Sequence, residues 1–265
     1  MNLARTHPLA FVPTMGALHA GHESLISIAR NYSSNVVVSI FVNPLQFENP
    51  DDLANYPRSI DEDQIRAELA GASEVWAPTM EEIYPAEVSR ISAGELGNQF
   101  EGAHRPGHFD GMLTVVERLF ELVEPQWAIF GEKDYQQLFL VRKLVAELQL
   151  PIEIISAPIV RDVQGLALSS RNVRLSSADI TAAHVISRAL QSASQLDGLS
   201  QQRACLHEIL ATEPKFTLDY AEIIDETTFE LATLGAERTR ALVSGWVAGV
   251  RLIDNMAMKV SKVGQ

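Results

Sequence analysis

Leu9-Ala10-Phe11-Val12-Pro13-Thr14-Met15-Gly16-Ala17-Leu18-His19-Ala20-Gly21-His22 is the stretch on which the reading of this chain turns. Its first four residues form an unbroken apolar run that reads as the first strand. Two glycines follow, which let the backbone approach a ligand closely. A helix opening at this point presents N–H groups and partial positive charge to an anion. His19 and His22 stand at that helix start, where an imidazole donates hydrogen bonds to phosphoryl oxygens as negative charge develops on them. A metal site, or simply two surface histidines, is the alternative. The glycine-flanked strand-to-helix setting is the narrower pattern and favours the phosphate reading.

Outward from this stretch, β-branched apolar runs alternate with helical periodicity. Residues 9–12, 35–42, 74–76, 127–130 and 152–155 read as strands, and 23–30, 61–70, 111–122 and 136–148 as helices. That alternation predicts βαβ units around a parallel sheet and an open α/β domain, with ligands beyond the carboxyl ends of the strands. After residue 160 the texture changes. Ser176 or Ser177 is placed to cap a helix through Ala182, Val185 and Leu190, and a second helix falls near 203–210. Residues 216–224 and 239–253 then read as two strands joined through 230–237, while 192–201 is polar enough for a loose loop. The expectation is a larger domain over 1–160 and a smaller α+β domain over 161–265.

Composition narrows the function. With 46% apolar and 21% charged residues the chain is globular. A net charge of −13 argues against non-specific nucleic-acid binding, which needs clustered cations. No run reaches the roughly 18 apolar residues of a membrane span. The short apolar start runs directly into the histidine stretch, which argues against a cleaved signal, so a cytoplasmic location is expected. Cys205 is the one cysteine, which excludes an internal disulfide and reads as a small apolar filler.

Three further segments carry polar chemistry. Asn43 and Gln46, in Phe41-Val42-Asn43-Pro44-Leu45-Gln46-Phe47, offer amides to the hydroxyl and carboxylate groups of a small substrate, although Asn-Pro alone also marks a turn. In Gly131-Glu132-Lys133-Asp134-Tyr135-Gln136-Gln137, Lys133 supplies a point charge for a phosphate at a strand end, and Gln137 lies one turn further on. Asp134 beside it suits a ribose, an amine or Mg²⁺. The bland alternative is a charged turn before a helix. Leu168-Ser169-Ser170-Arg171-Asn172 combines two hydroxyls and a guanidinium into an anion-binding loop, or else a Ser-rich hinge. Val160 and the Gly165 turn precede it and suit a backbone laid against adenine. Asp61-Glu62-Asp63 reads as an acidic first turn that favours the helix dipole. Arg105-Pro106-Gly107-His108-Phe109 precedes a helix and shapes the surroundings.

In this order the segments resemble pantothenate synthetases, nucleotidyltransferase-superfamily enzymes whose His-x-Gly-His motif is shared with class I aminoacyl-tRNA synthetases. The resemblance runs from Phe11 to about Asn255 and includes Tyr56-Pro57-Arg58, Arg105 to Gly111 and Arg251-Leu252-Ile253-Asp254-Asn255. It implies a Rossmann-like domain with a smaller lid, a homodimer, and ATP-dependent joining of pantoate to β-alanine through an acyl-adenylate, with Mg²⁺ accompanying ATP. By motif match, ATP would be bound by Met15, Gly16, Ala17, Leu18, His19, Ala20, Gly21 and His22, by Gly131, Glu132, Lys133 and Asp134, and by Val160, Leu168, Ser169, Ser170 and Arg171. His22 would donate a proton, with His19, Lys133, Ser169 and Arg171 sharing the catalytic work. Gln46 and Gln137 would hold pantoate, and Gln46 would also adjoin β-alanine. Two departures stand out: Leu168 replaces the family's usual Met, a volume-conserving change, and the N-terminus is shorter than usual. Two rivals remain open at this point. One is another nucleotidyltransferase, with the acidic charge weighing against a tRNA enzyme, and the other is a nucleotide sensor without turnover.

Overall fold

The computed structural model describes residues 8–47, 53–54, 56, 59–86 and 88–260; Pro57 and Arg58, singled out above, lie outside the described residues. The chain separates into two compact units, Met1–Glu132 with Gln136–Pro158 and Lys133–Tyr135 with Ile159–Gln265.

The first unit is a parallel sheet of order β3-β2-β1-β4-β5, formed by β1 (Leu9–Thr14), β2 (Asn35–Ile40), β3 (Glu74–Trp76), β4 (Trp127–Gly131) and β5 (Glu153–Ala157). Its helices are α1 (Ala20–Ala29), α2 (Ile60–Ala70), α3 (Met80–Ile83), α4 (His108–Val123) and α5 (Tyr135–Glu147). The central strand explains the architecture. Leu9, Ala10, Phe11 and Val12 are at most 1% exposed, so both faces of β1 must be covered. Ala10 and Val12 pack with Ile26 and Ala29 of α1 and with Ala67 of α2. Phe11 turns the other way, its ring 6.5 Å from Phe120 of α4, which lies 6.4 Å from Phe130 of β4. Each large side chain so buried stabilises the unit by roughly 1.5–3 kcal/mol.

Parallel pairing joins β1 to β2 on one side and to β4 on the other. This is the point where strand order reverses, and ligands of open α/β sheets bind beyond the carboxyl ends there. The segments following β1, β2 and β4 are the first three motifs of the sequence.

The second unit packs α6 (Ser177–Ser194) and α7 (Leu199–Leu210) with an antiparallel sheet of β6 (Phe216–Asp225), β7 (Thr239–Val247) and β8 (Val250–Met258). Ser176 caps α6, its Oγ accepting from the Asp179 amide at 3.3 Å. The core is drawn from Val185, Ile186, Ala189 and Leu190 of α6, Leu206 and Leu210 of α7, and Ile223, Val243 and Leu252 of the sheet. Cys205 packs beside it, and burial, then Glu208, pushes its thiol up. That is the inert filler role.

Two expectations are corrected. The stretch 239–253 is a hairpin and not one strand: Ala248 (φ 49°) and Gly249 (φ 76°) reverse the chain, and Val247 pairs with Val250. Two consecutive positive φ values make a turn whose twist matches its strands; flanking valines hid it. The polar stretch 192–201 is mostly helical, because α6 continues to Ser194 and α7 begins at Leu199. Among the described residues, no helix is long and apolar enough to cross a membrane.

Candidate active site

The loop after β1 is held at every step. Thr14 Oγ1 donates to the Ser39 carbonyl (2.7 Å) and accepts from the Gly16 amide (3.2 Å). Gly16 (φ 83°) and Ala17 (φ 52°) then turn the chain through the left-handed region. For Ala17 this costs about 1–2 kcal/mol. The next two amides converge on one buried carboxylate: Ala17 N donates to Asp63 Oδ2 (2.8 Å) and Leu18 N to Asp63 Oδ1 (2.7 Å).

The histidines follow. His19 is the N-cap of α1, and its Nδ1 accepts from the Gly21 amide at 3.0 Å. His22 Nδ1 accepts from the His19 amide at 3.3 Å, and the two rings lie 4.2 Å apart. A ring nitrogen that accepts carries no proton, so each neutral imidazole has its N–H on Nε2. This corrects one expectation. The amides of Gly21 and His22 are bonded to His19 and are not bare N–H groups for an anion. The side-chain N–H donors of this turn are the imidazole Nε2 atoms.

After β2, Asn43 is fully buried and organises its turn. Asn43 Nδ2 donates to Gln46 Oε1 (3.1 Å) and to the Gly111 carbonyl (3.0 Å), while its Oδ1 accepts from Leu45 N and Tyr84 Oη. With Gln46 Oε1 so engaged, the amide of Gln46 is oriented and its Nε2 is the donor end turned elsewhere. Any Cβ at Gly111 would overlap the Leu45 carbonyl, which explains glycine where α4 meets this turn. His108 Nδ1 lies 2.9 Å from the Gln46 carbonyl, giving that residue a place the sequence left indefinite. Burial pushes the Tyr84 hydroxyl up to about 12 against the opposing pull of Arg90, so it stays protonated and donates.

After β4, Gly131 and Glu132 reach the same edge of the sheet. Gln136 and Gln137 divide their duties. Gln136 is buried, donates to the Leu96 and Gln99 carbonyls and accepts from the Glu101 amide, a structural part. Gln137 is half-buried.

The other predicted residues belong to the second unit. Asn255 Nδ2 donates to the Lys133 carbonyl (3.1 Å), and Asn255 Oδ1 accepts from Arg240 (2.7 Å). Arg240 stacks 4.0 Å from the Tyr135 ring and pairs with Glu226 at 2.7 Å. The adjacent Asp254 is paired on both oxygens by Arg161, whose Nη2 also reaches the Asn255 carbonyl. Burial pushes the Asp254 carboxyl up, with the Arg161 guanidinium pulling against it. Lys133 Nζ lies 3.8 Å from the exposed Asp134. Val160 and Leu168 are joined directly, Leu168 N donating to the Val160 carbonyl at 2.9 Å across a small hairpin turned at Gly165. Ser169 caps a 3₁₀ turn over Ser170–Arg174 by accepting from the Arg171 amide at 3.3 Å. Arg171 is exposed.

Asp63, Tyr84, Arg161, Glu226 and Arg240 were missed as site components. For Asp63 a signal existed: it precedes Ala67 by one turn, on the face α2 buries. Among the described residues, no cluster of three or more His, Cys, Asp or Glu is arranged to hold a metal.

A switch-point sheet whose first turn presents two Nε2-protonated imidazoles belongs to the nucleotide-using α/β enzymes. A family model described as pantoate-beta-alanine ligase matches residues 2–257. A pantothenate synthetase of Acidothermus cellulolyticus is 48% identical over 97% of this chain and 87% of its own length. A pantoate–β-alanine ligase of Schizosaccharomyces pombe is 43% identical over 96% and 92%. Among solved structures, a pantothenate synthetase of Thermus thermophilus superposes with TM-score 0.89 at 42% identity over 94% of this chain and 92% of that one. A Francisella tularensis pantoate–β-alanine ligase, complexed with β,γ-ATP and β-alanine, gives 0.76 at 38% identity over 94% and 89%. The chain belongs to the pantoate–β-alanine ligase family. It is an ATP-dependent carbon–nitrogen ligase that makes pantothenate.

Proposed function

We propose that this chain joins pantoate to β-alanine in two steps through pantoyl adenylate, with these residues as its machinery. The pantoate carboxylate attacks the α-phosphorus of ATP in line, and pyrophosphate leaves. The β-alanine amine then attacks the acyl carbon, and AMP leaves with the amide formed. The observation that carries this reading is the placement of the His19 and His22 rings: both Nδ1 atoms accept backbone N–H, which assigns the ring N–H to Nε2, a donor to phosphoryl oxygen in this proposal. His22 is the proton donor. Lys133 and Arg171 supply cationic charge and Ser169 a hydroxyl. Met15 to His22, Gly131 to Asp134, Val160 and Leu168 to Arg171 form the ATP contacts. Gln46, oriented by Asn43, and Gln137 hold pantoate, with β-alanine beside Gln46. Mg²⁺ enters on the nucleotide, where phosphate oxygens supply ligands; no residue is assigned to it. The cytoplasmic homodimer implied by the resemblance belongs to the same proposal, and light scattering on a sizing column tests the dimer.

Incubation with Mg·ATP and pantoate, with and without β-alanine, followed by mass spectrometry, tests the route. AMP and pantothenate are expected only with all three substrates, and a pantoyl-adenylate mass when β-alanine is withheld. ATP cleaved to ADP and phosphate would refute the adenylate step.

A further inference from the structure

We propose that Asp63 is a positioning residue for adenylyl transfer, acting through the backbone of the loop that carries His19 and His22. Its side chain is 2% exposed, yet no relation to the nucleotide follows from its place in the acidic first turn of α2. Its two oxygens are spent on consecutive amides, Oδ2 on Ala17 and Oδ1 on Leu18, at 2.8 and 2.7 Å. Hydrogen bonds between an ionised acceptor and backbone N–H are about twice as strong as neutral ones. They are made where the backbone most needs them, at a non-glycine residue with φ 52°. The fit is close, since a Cβ on Gly16 would stand 2.9 Å from Asp63 Oδ2.

The carboxylate sits on a rigid base. Ala67, one turn along α2, is fully buried in the core shared with Ile26 and Ala29 of α1. Arg66 bonds Glu23 of α1 at 2.8 Å. Helix α2 therefore holds both the loop and the helix that the loop opens. Asp63 fixes the direction in which the chain enters His19, and that entry fixes both imidazoles, because their Nδ1 atoms are bonded to this same backbone. An acidic side chain under an anion site would ordinarily repel the anion. Here its charge is met by two N–H dipoles.

This inference rests on the phosphate role of the histidines, so its test includes them. The near-isosteric Asp63→Asn keeps one acceptor and turns an NH₂ toward the other amide. It is compared with wild type, His22→Ala and the exposed Asp61→Ala for kcat, for KM of ATP and β-alanine, for melting temperature, and for amide exchange at Ala17 and Leu18. Asp63→Asn should exchange both amides faster and lose kcat by about 100-fold per folded molecule, the scale of a catalytic group displaced by about an ångström. KM for β-alanine should hold, and Asp61→Ala should match wild type. Adding Ala17→Gly, which adopts φ 52° without strain, should restore part of the lost kcat. Asp63→Asn with normal kcat beside an impaired His22→Ala overturns the inference and spares the histidine reading. Normal kcat in His22→Ala overturns both. Should Asp63→Asn fail to fold, the wild-type amides decide: rapid exchange at Ala17 and Leu18 overturns the proposal.

Discussion

In the first unit the histidine loop is held by one carboxylate that bonds backbone N–H groups; in the second, the segment at Lys133 is held by a chain of paired side-chain charges. Asp63 reaches its loop across 45 residues of sequence. Asn255 reaches Lys133 across 122 and is steadied by Arg240, which Glu226 and Tyr135 steady in turn. The two devices suit the backbone they serve. The loop after β1 turns two consecutive amides toward α2 and wants an acceptor. The segment after β4 offers a carbonyl and wants a donor, which Asn255 supplies. A single acceptor should fail locally when removed, and a network should spread the damage.

The largest effect is expected at Asp254→Ala. It leaves the Arg161 guanidinium, 19% exposed, without its carboxylate, and breaking such a pair by removing one partner costs about 3–5 kcal/mol. Urea titration should show that loss with the m-value unchanged. If Asp254→Ala costs no more than a surface substitution, the network is decoration and the comparison breaks. Asn255→Ala comes next. It removes the bond to the Lys133 carbonyl and leaves Arg240 Nη1 without its Asn255 acceptor, a cost of about 1–3 kcal/mol. Because its effect passes through Lys133, kcat should fall with KM for β-alanine held. A drop in stability with kcat intact would show that the network supports the fold alone.

The sequence exposed the two devices unequally, for a physical reason. Strand β1 and its glycine-histidine turn were legible because local rules decide them: a doubly buried strand must be apolar, and a turn at φ 83° takes glycine. Lys133, Ser169 and Arg171 stood out as cations and hydroxyls beside turns. Apart from its place one turn before Ala67, Asp63 was legible only as an acid in a first helical turn, an adequate account of the exposed Asp61 and Glu62 beside it. What distinguishes Asp63 is a partner 45 residues away, which no local pattern encodes. The Ala248-Gly249 reversal escaped for the opposite reason. Its flanks, Val247 and Val250, have the apolar texture of an uninterrupted strand.

The smallest effect separates the devices by pH. Burial pushes the Glu226 carboxyl up, but the hydrogen bonds from Arg238 and Arg240 more than reverse this and hold it below its ordinary 4.5. A carboxyl depressed in the folded state contributes stability that is complete above the unfolded value and is lost as pH falls through the folded one. Arg238 is 70% exposed, so its share is screened, and most of the effect belongs to Arg240 at 11%. Glu226→Gln should therefore lower the melting temperature at pH 7, and the gap to wild type should close as the pH is taken below 4.5. A gap that stays constant through that range would mean that Glu226 acts by shape and not by charge, and Arg240 would then owe its place to the Tyr135 ring.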